Sequence, residues 1–477
     1  MNVRMSVYIL GFLTLFEGVF MAVPTITAAV YQEKELTLFA GFALALMLIG
    51  FVVTRFKPTN KSLYARDGFV IVAVSWILLS LFGALPMYIS GAIPEFIDAM
   101  FESVSGFTTT GASILHDLDS LPKCVLMWRS FMHWIGGMGV LVFIMAILPL
   151  AGGQNMYLMK AESPGPSVSK LVPRVRKTAV ILYAIYFALT VTEIILLLIG
   201  GMPLFDAINL ACATAGTGGF GISNAGMMIY NPFCIWVITV FMFLFGVNFS
   251  YFYLFLCRKF REGFTAELKV YLCIIAFAVT TITLDIRHLF ENFGTALMHS
   301  SFTIGSLLSS TGFSTVDFNL WPTFSRTLLV MLMFVGACAG STGGGIKVSR
   351  CIIFFKNMHN ELRVMTHPRQ VKKVKMDGHQ VEAEVIRSVN VYFACYIMIY
   401  AVNMLVLSLD HLDLTTNFTA VVATMNNIGP GLNLVGPASN YDVYSGCSKC
   451  MLIFNMLTGR LELFPIILLL SPATWKK

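Results

Sequence analysis

Residues 94–113 read PEFIDAMFESVSGFTTTGAS, a moderately apolar segment that is too short to span a bilayer and that runs into a glycine turn. Three later stretches have the same form, and they are PLFDAINLACATAGTGGFG at 203–221, SFTIGSLLSSTGFST at 301–315 and TTNFTAVVATMNNIGPGLN at 415–433. Each lies between a longer apolar segment before it and another after it. Irregular backbone at membrane depth is tolerated only where it lines a water-filled cavity or is buried in protein. The sequence therefore predicts a unit of span, short helix, turn and span that is repeated four times around one pore.

The composition around these loops is that of a membrane protein. Of the 477 residues, 57% are hydrophobic and 12% are charged, and the mean hydropathy is +0.77. Soluble domains usually carry about 25% charged residues, which argues against a soluble fold. Ten apolar segments approach the roughly 20 residues that a helix needs to cross a bilayer, and the eighth is interrupted by glycines. We expect an all-α polytopic membrane protein with spans at 5–30, 37–54, 69–91, 125–150, 178–201, 231–257, 268–284, 323–356, 388–409 and 447–472.

Two extra spans precede the four units, so the chain divides into five parts. The predicted divisions are an N-terminal two-span region at 1–66, a first pore repeat at 67–176, a second at 177–266, a third at 267–385 and a fourth at 386–477.

Charged residues orient these spans. Most of the lysines and arginines fall in one set of alternate loops, whereas most of the acidic residues fall in the other set. Because basic loops stay in the cytoplasm, both termini are expected there. The four short loops then open on an acidic outer surface, which concentrates cations and repels anions.

The glycine turns have the residue types that a cation filter needs. A ring of backbone carbonyls can replace the hydration shell of an ion, and glycine allows the backbone angles that aim carbonyls inward. Threonine hydroxyls beside the glycines can add ligands, and the negative C-terminal ends of the short helices would favour a cation. The alternative is that these glycines only form loop turns. The predicted cation-binding residues are Thr109, Thr110, Gly111, Thr217, Gly218, Thr311, Gly312, Ile428 and Gly429.

The fourth turn departs from the other three. It reads Ile428-Gly429-Pro430, so no threonine precedes the glycine and the proline has no N–H to donate. We therefore expect the four turns to form related but unequal sides of the filter. The sequence leaves selectivity between potassium and sodium open.

The eighth span contains a glycine-rich segment, and the tenth contains a lone arginine. Residues 336–345 are mostly glycine and alanine, which make a weak helix, so we expect an intramembrane loop beneath the filter. A phosphate-binding loop is rejected because Ile346 precedes Lys347, where that motif needs lysine directly after its last glycine.

Arg460 would cost at least about 2.5 kcal/mol at the bilayer centre, so it should face a cavity or an acidic partner unless it snorkels from a span end. Glu462 points elsewhere on a helix and is not its obvious partner.

The motifs TTTGAS, ATAGTGGFG, SSTGFST and NNIGPGLN, in this arrangement, resemble the Trk/Ktr/HKT superfamily of potassium transporters. The two extra spans make the chain most similar to the bacterial Trk-type membrane subunit, the TrkH/TrkG kind. The resemblance implies potassium uptake across a bacterial inner membrane and an arginine barrier just inside the filter. It also implies an intramembrane gate, whose expected residues are Gly340, Ser341, Thr342, Gly343, Gly344, Gly345 and Arg460.

The same resemblance implies partners. We expect a homodimer and a cytosolic, TrkA-like nucleotide-binding ring protein that controls the pore. The basic segment 356–387 is suited either to lipid headgroups or to docking such a regulator. Potassium is the expected substrate at the filter residues, and no bound cofactor, transition metal or nucleic acid is expected.

Two other functions were weighed. A proton- or sodium-linked carrier of a cation other than potassium is the alternative, although a typical carrier has two inverted halves with broken helices at matching positions. A membrane enzyme would need a nucleophile–base pair or a metal triad, and the sequence has no HExxH or comparable cluster.

Overall fold

The computed structural model describes residues 2–60, 63–139, 175–367 and 373–475. Regular structure in these ranges is almost entirely helical; the one hairpin there pairs Lys375–Met376 with His379–Gln380 in antiparallel register. Six helices are long and apolar enough to cross a membrane, and a seventh span exists if one bent pair is counted as one. The six are Val3–Val30, Leu36–Arg55, Arg66–Ile89, Lys177–Ile199, Ala266–Leu289 and Ala383–Asp410.

The N-terminal region is a tightly packed helical pair. Its first span consists of two helices, Val3–Phe20 and Ala22–Val30, and the second is Leu36–Arg55. A β-carbon on Gly18 would lie 2.8 Å from the carbonyl oxygen of Ala43 on the opposite helix. Small residues that let backbones approach so closely are typical of helix contacts in membranes.

The rest of the described chain repeats one order of elements four times: a long span, a short helix and a return helix. The long spans are Ala65–Ile89, Val175–Ile199, Ala266–Ile286 and Ala383–Leu407. The short helices are Phe96–Phe107, Leu204–Gly216, Phe293–Leu308 and Leu414–Met425. The return helices are Lys123–Gly137, Pro232–Phe245, Thr323–Val335 and Gly446–Arg460.

The return helices are shorter than the sequence predicts, because each ends after only 13 to 15 residues. The interruption of the predicted span 323–356 is confirmed: the backbone leaves the helix at Gly336 and becomes helical again in Val348–Thr366. The prediction of a continuous span at 231–257 is wrong, since a helix Phe249–Leu256 follows a bend of 94°. The apolar run continues through this bend, so hydropathy gives no sign of it.

The predicted span 447–472 is broken as well. Its return helix is followed by Phe464–Leu470, and the connecting residues Glu462 and Leu463 have φ angles of 56° and 69°. Such left-handed angles cannot continue a helix. The second half of the predicted span 125–150 lies outside the described residues. The remaining helical turns are Gly226–Ile229, Phe260–Gly263, Arg287–Leu289, Phe318–Leu320, Ser408–Asp410, Asn433–Val435, Tyr441–Val443 and Pro472–Trp475.

The short helices form the centre of the molecule. Their C-terminal halves are buried almost without interruption, although they are rich in serine and threonine. The spans around them instead expose large apolar side chains, such as Leu44 of Leu36–Arg55 and Leu405 of Ala383–Leu407. A polar centre inside an apolar rim is the arrangement expected of a protein whose solvent is lipid.

Candidate cation-binding site

The four short helices end in one and the same backbone turn. Each helix is followed within two residues by a left-handed residue with φ between 53° and 61°, and these residues are Thr109, Thr217, Ser310 and Asn427. The next N–H in each turn reaches back to a carbonyl five residues earlier. These bonds are Thr110 to Ser105 at 2.9 Å, Gly218 to Ala213 at 2.9 Å, Thr311 to Ser306 at 2.8 Å and Ile428 to Ala423 at 2.8 Å. This is the Schellman ending of a helix, formed here by four different sequences.

The residue that follows each turn is a glycine with positive φ. The four are Gly111, Gly219, Gly312 and Gly429, with φ of 76°, 73°, 89° and 97°. In the second unit this position is occupied by Gly219, whereas the sequence analysis selected its neighbour Gly218. Gly218 corresponds instead to Thr110, Thr311 and Ile428. Two adjacent glycines make the register ambiguous in sequence, and the hydrogen-bonded turn resolves it.

These glycines and the carbonyls before them form a closed ring. A β-carbon on Gly111 would overlap the carbonyl oxygen of Gly218 in the second unit. In the same way, Gly219 meets the carbonyl of Thr311, and Gly312 meets that of Ile428. The circle closes between the two ends of the chain, as the next contact shows.

The fourth contact joins the last unit to the first. A β-carbon on Gly429 would lie 2.8 Å from the carbonyl oxygen of Thr110. Within the described residues, no hydrogen bond is donated to the four ring carbonyls. Four unpaired backbone oxygens therefore lie around a common centre; they belong to Thr110, Gly218, Thr311 and Ile428.

The ring separates two cavities of very different size. A cavity of about 410 Å³ on one side is lined by all four glycines of the ring. On the other side lies a cavity of about 50 Å³, lined by Asn427, Arg460, Lys347 and the segment 343–345. The space next to the ring is therefore wide on one side and narrow on the other.

The hydroxyls beside the ring are mostly occupied. The hydroxyl of Thr110 lies 2.8 Å from that of Thr108, and the hydroxyl of Thr311 lies 2.6 Å from that of Ser309. Thr217 donates to the carbonyl of Gly216. The hydroxyl of Thr109 is buried and has no hydrogen-bond partner in the described part of the chain.

The first two units are held together by two residues of one return helix. Arg129 pairs with the buried Glu102 at 2.6 Å and donates to the carbonyl of Gly221 at 3.1 Å. The Nδ1 atom of His133 lies 2.8 Å from the carbonyl oxygen of Gly106, and its Nε2 atom accepts the N–H of Phe220 at 3.3 Å. Arg129 and His133 lie four residues apart on this helix, and together they link the backbone of the first unit to that of the second beside the ring.

The glycine-rich segment 336–347 lies directly below the third and fourth turns. A β-carbon on Gly343 would lie 2.6 Å from the carbonyl oxygen of Ser309, and one on Gly344 would overlap that of Asn426. The N–H of Gly344 also donates to the hydroxyl of Ser310. The predicted interruption of the helix therefore lies next to the predicted filter.

Arg460 joins this segment to the first unit. Its guanidinium donates to the carbonyl of Thr342 at 2.8 Å, and to those of Gly136 and Gly137, the latter at 2.8 Å. Glu462, two residues further along the chain, forms an ion pair with Arg350.

Comparison with known proteins shows the family of this chain. A family profile described as TrkH, a cation transport protein, matches residues 34–477. The chain belongs to the TrkH family. The Trk system potassium uptake protein TrkH of Salmonella typhimurium is 35% identical over the full length of both chains. The corresponding TrkG of Escherichia coli K12 is also 35% identical, over 100% of this chain and 99% of its own.

A solved structure of the family has the same fold. The crystal structure of the potassium transporter TrkH from Vibrio parahaemolyticus superimposes with a TM-score of 0.89 at 31% identity, covering 100% of both chains. With its apolar helices, this TrkH-family chain is a multi-pass membrane protein.

The sequence analysis missed several residues of this site. Ser310 and Asn427 occupy the same turn position as Thr109 and Thr217, two residues before the ring glycine, but only threonines were selected. Counting back from each glycine would have found them. Asn427 also donates to the hydroxyl of Thr110 at 2.9 Å, a contact between residues 317 positions apart that no local pattern encodes.

Proposed function

We propose that this chain takes up potassium across a bacterial inner membrane through a filter formed by the four ring carbonyls. The closed ring of glycine–carbonyl contacts carries this proposal. The naming of several relatives as Trk system potassium uptake proteins supports it. The divisions of the pore repeats at 67–176, 177–266, 267–385 and 386–477 belong to the same proposal.

The filter acts by replacing water. A potassium ion loses most of its hydration shell when it enters the ring, and backbone oxygens take the place of the lost water. The four short helices aim their negative C-terminal ends at the same centre, which adds to the attraction. The ring is unequal, because isoleucine and proline flank the fourth glycine, and the second candidate is therefore a proton- or sodium-linked carrier of a cation other than potassium.

The gate consists of Gly340–Gly345 and Arg460. Arg460 lines the small cavity below the ring, where its positive charge opposes an entering cation. Its bonds to Thr342 and to Gly137 tie the segment to the first unit. Opening the path requires these bonds to break, and the narrow cavity then widens.

The proposal also includes the regulation of the pore and the orientation of the chain in the membrane. Both termini and the basic segment 356–387 face the cytoplasm, where a TrkA-like nucleotide-binding ring docks on a homodimer of this chain. Membrane lipids contact the apolar rim. Movement of the ring protein reaches the gate through the helix Val348–Thr366, which continues directly from the gate segment.

Rubidium uptake tests the proposal. The chain is expressed in a bacterial strain that lacks its own potassium systems, and growth at low potassium and rubidium uptake are measured. Gly312→Ala puts a methyl group into the ring and should abolish both. Gly294→Ala is the matched control, because nothing lies within 4 Å of its added β-carbon in the same unit.

The outcome distinguishes the candidates. Absence of rubidium uptake by the wild-type chain, at normal abundance and together with its ring partner, overturns the proposal. Uptake that disappears when the proton or sodium gradient is removed favours the linked carrier.

A further inference from the structure

The segment 436–445, which we call the strap, connects the fourth turn to the first unit. The backbone N–H of Tyr441 donates to the carbonyl of Ser113, two residues after the first ring glycine, at 2.9 Å. The phenol of Tyr441 donates to the carbonyl of Gly429 at 2.6 Å. We call the turn and ring glycine of each unit one wall of the ring. Tyr441 thus binds the backbone of both the first and the fourth walls.

This support is particular to the fourth wall. Among the described residues, no side chain donates to the carbonyl of Gly111, Gly219 or Gly312, whereas Gly429 has the phenol. A phenol that holds the Gly429 carbonyl fixes the peptide plane after the glycine. Because consecutive peptide planes share a Cα atom, it also limits the direction of the preceding ring carbonyl, that of Ile428.

The fourth wall needs such support more than the others. Pro430 follows its glycine and has no N–H with which to bind a neighbouring group. Gly429 also has the largest φ of the four ring glycines, 97°, and makes the loosest contact with its neighbour. A phenol from outside the turn supplies a hydrogen bond where the turn itself has a proline.

The strap holds Tyr441 firmly in place. Its side chain is 2% exposed, and its ring centroid lies 5.7 Å from that of Phe101 on the first short helix. The next residue, Asp442, pairs with Lys449 at 2.7 Å and with His116 at 2.9 Å. The phenol is therefore positioned by the first unit while it binds the fourth.

We propose that Tyr441 is a positioning residue for ion selectivity, whose phenol sets the direction of the backbone carbonyls in the fourth wall of the ring. This inference rests on the proposed function, because it assigns a role within the same filter. Tyr441 does not touch the ion; it acts through Gly429.

Tyr441→Phe tests the inference, and the strap offers a matched control. Tyr444 lies on the same strap, is buried, and donates its phenol to the side chain of Asn417 at 3.0 Å, away from the ring. Both variants are reconstituted into lipid vesicles, and the ratio of rubidium to sodium uptake is measured. Loss of one hydrogen bond of ordinary strength predicts a fall of about fivefold in this ratio for Tyr441→Phe. Tyr444→Phe should keep the wild-type ratio, even if both variants lose stability.

A second measurement does not depend on transport. The increase in unfolding temperature on adding KCl instead of NaCl is recorded for the purified proteins. The Tyr441→Phe protein should lose most of this potassium-specific increase, whereas the Tyr444→Phe protein keeps it. If Tyr441→Phe does not accumulate, 4-fluorophenylalanine at the same position removes the donor at nearly constant size.

An unchanged uptake ratio and an unchanged potassium-specific increase in the donor-free protein overturn the inference. Equal changes in the two strap variants overturn it as well, because they indicate a purely structural role. A wild-type protein without any cation uptake contradicts the proposed function instead, so the two failures are distinguishable.

Discussion

The first and fourth walls of the ring share one backbone turn but are supported in different ways. In the first wall, Thr110 finds a partner two residues away, the hydroxyl of Thr108. In the fourth wall, Asn427 donates to Thr110 of the first unit and to the carbonyl of Met456 on its return helix, each at 2.9 Å. Helix-ending geometry is thus enough to specify the turn, while side chains determine how firmly each wall is held.

The largest expected effect comes from adding the same methyl group to the ring glycine of the first wall and to that of the fourth wall. Gly111→Ala overlaps the carbonyl of Gly218, whereas the β-carbon of Gly429→Ala stays 2.8 Å from that of Thr110. Overpacking costs of about 3 kcal/mol correspond to roughly a 100-fold loss of rubidium uptake for Gly111→Ala. We expect a clearly smaller loss for Gly429→Ala, roughly tenfold, because its added β-carbon lies farther from the neighbouring carbonyl.

Gly41→Ala serves as the reference, since nothing lies within 4 Å of the added β-carbon. Equal losses in the two ring variants would show that the walls are equally tight and would remove the distinction between them.

The asymmetry extends below the ring, because the gate segment touches the third and fourth walls and is tied to the first unit by Arg460. Arg460→Ala removes the charge that lines the lower cavity. Basal cation flux in vesicles should rise roughly tenfold, since about 1.4 kcal/mol of electrostatic barrier corresponds to that factor. Arg460→Lys keeps the charge but loses the guanidinium bonds to Thr342 and Gly137, so its flux should lie between those of the wild type and Arg460→Ala. Similar flux in both variants and the wild type would remove the barrier role.

Smaller effects should separate the two kinds of support. Asn427→Ala loses two hydrogen bonds between elements and leaves Thr110 without this donor, so we expect about 1–3 kcal/mol of destabilisation. Thr108→Ala removes two local bonds within the first unit, to the hydroxyl of Thr110 and to the carbonyl of Val104, and should cost about 1 kcal/mol. Unfolding temperatures in detergent give the comparison; a larger cost for Thr108→Ala would contradict the view that the fourth wall depends more on its neighbours.

The smallest expected effect concerns pH at the strap. Hydrogen bonds from His116 and Lys449 hold the pKa of the Asp442 carboxyl below its usual value of about 3.8. A carboxyl with a lowered pKa contributes stability above its unfolded pKa and loses it as the pH falls through the folded one. The advantage of the wild type over Asp442→Asn in unfolding temperature should therefore persist from pH 8 to 5 and shrink only below about pH 3.8. A difference that already shrinks between pH 8 and 5 would contradict this assignment.

The sequence predicted all four turns, but only one of the interruptions in the predicted spans that follow these turns. Threonine and glycine beside short apolar segments mark a turn, because its backbone angles restrict residue choice locally. The bend after Phe245 leaves no such mark, since apolar residues continue on both sides of it. That bend is fixed by distant contacts, such as the N–H of Cys338 donating to the carbonyl of Gly246 at 3.0 Å.

The register of the second turn and the partners of Asn427 could not be predicted from the sequence either. Gly218 and Gly219 are identical residues, and only the hydrogen bond from Gly218 to Ala213 decides which of them faces the next wall. The ion pair of Arg350 with Glu462 joins residues 112 positions apart. Contacts of this range depend on how the units pack, which a single sequence does not state.

The contact between Gly429 and Thr110 has a consequence for biosynthesis. It joins the last wall to be synthesised to the first, and the strap that reinforces it lies later still in the chain. The ring therefore stays open on one side while the ribosome is still translating the fourth unit. If the ring is the proposed filter, a nascent or truncated chain has no complete set of ring carbonyls, and only the finished protein can select an ion.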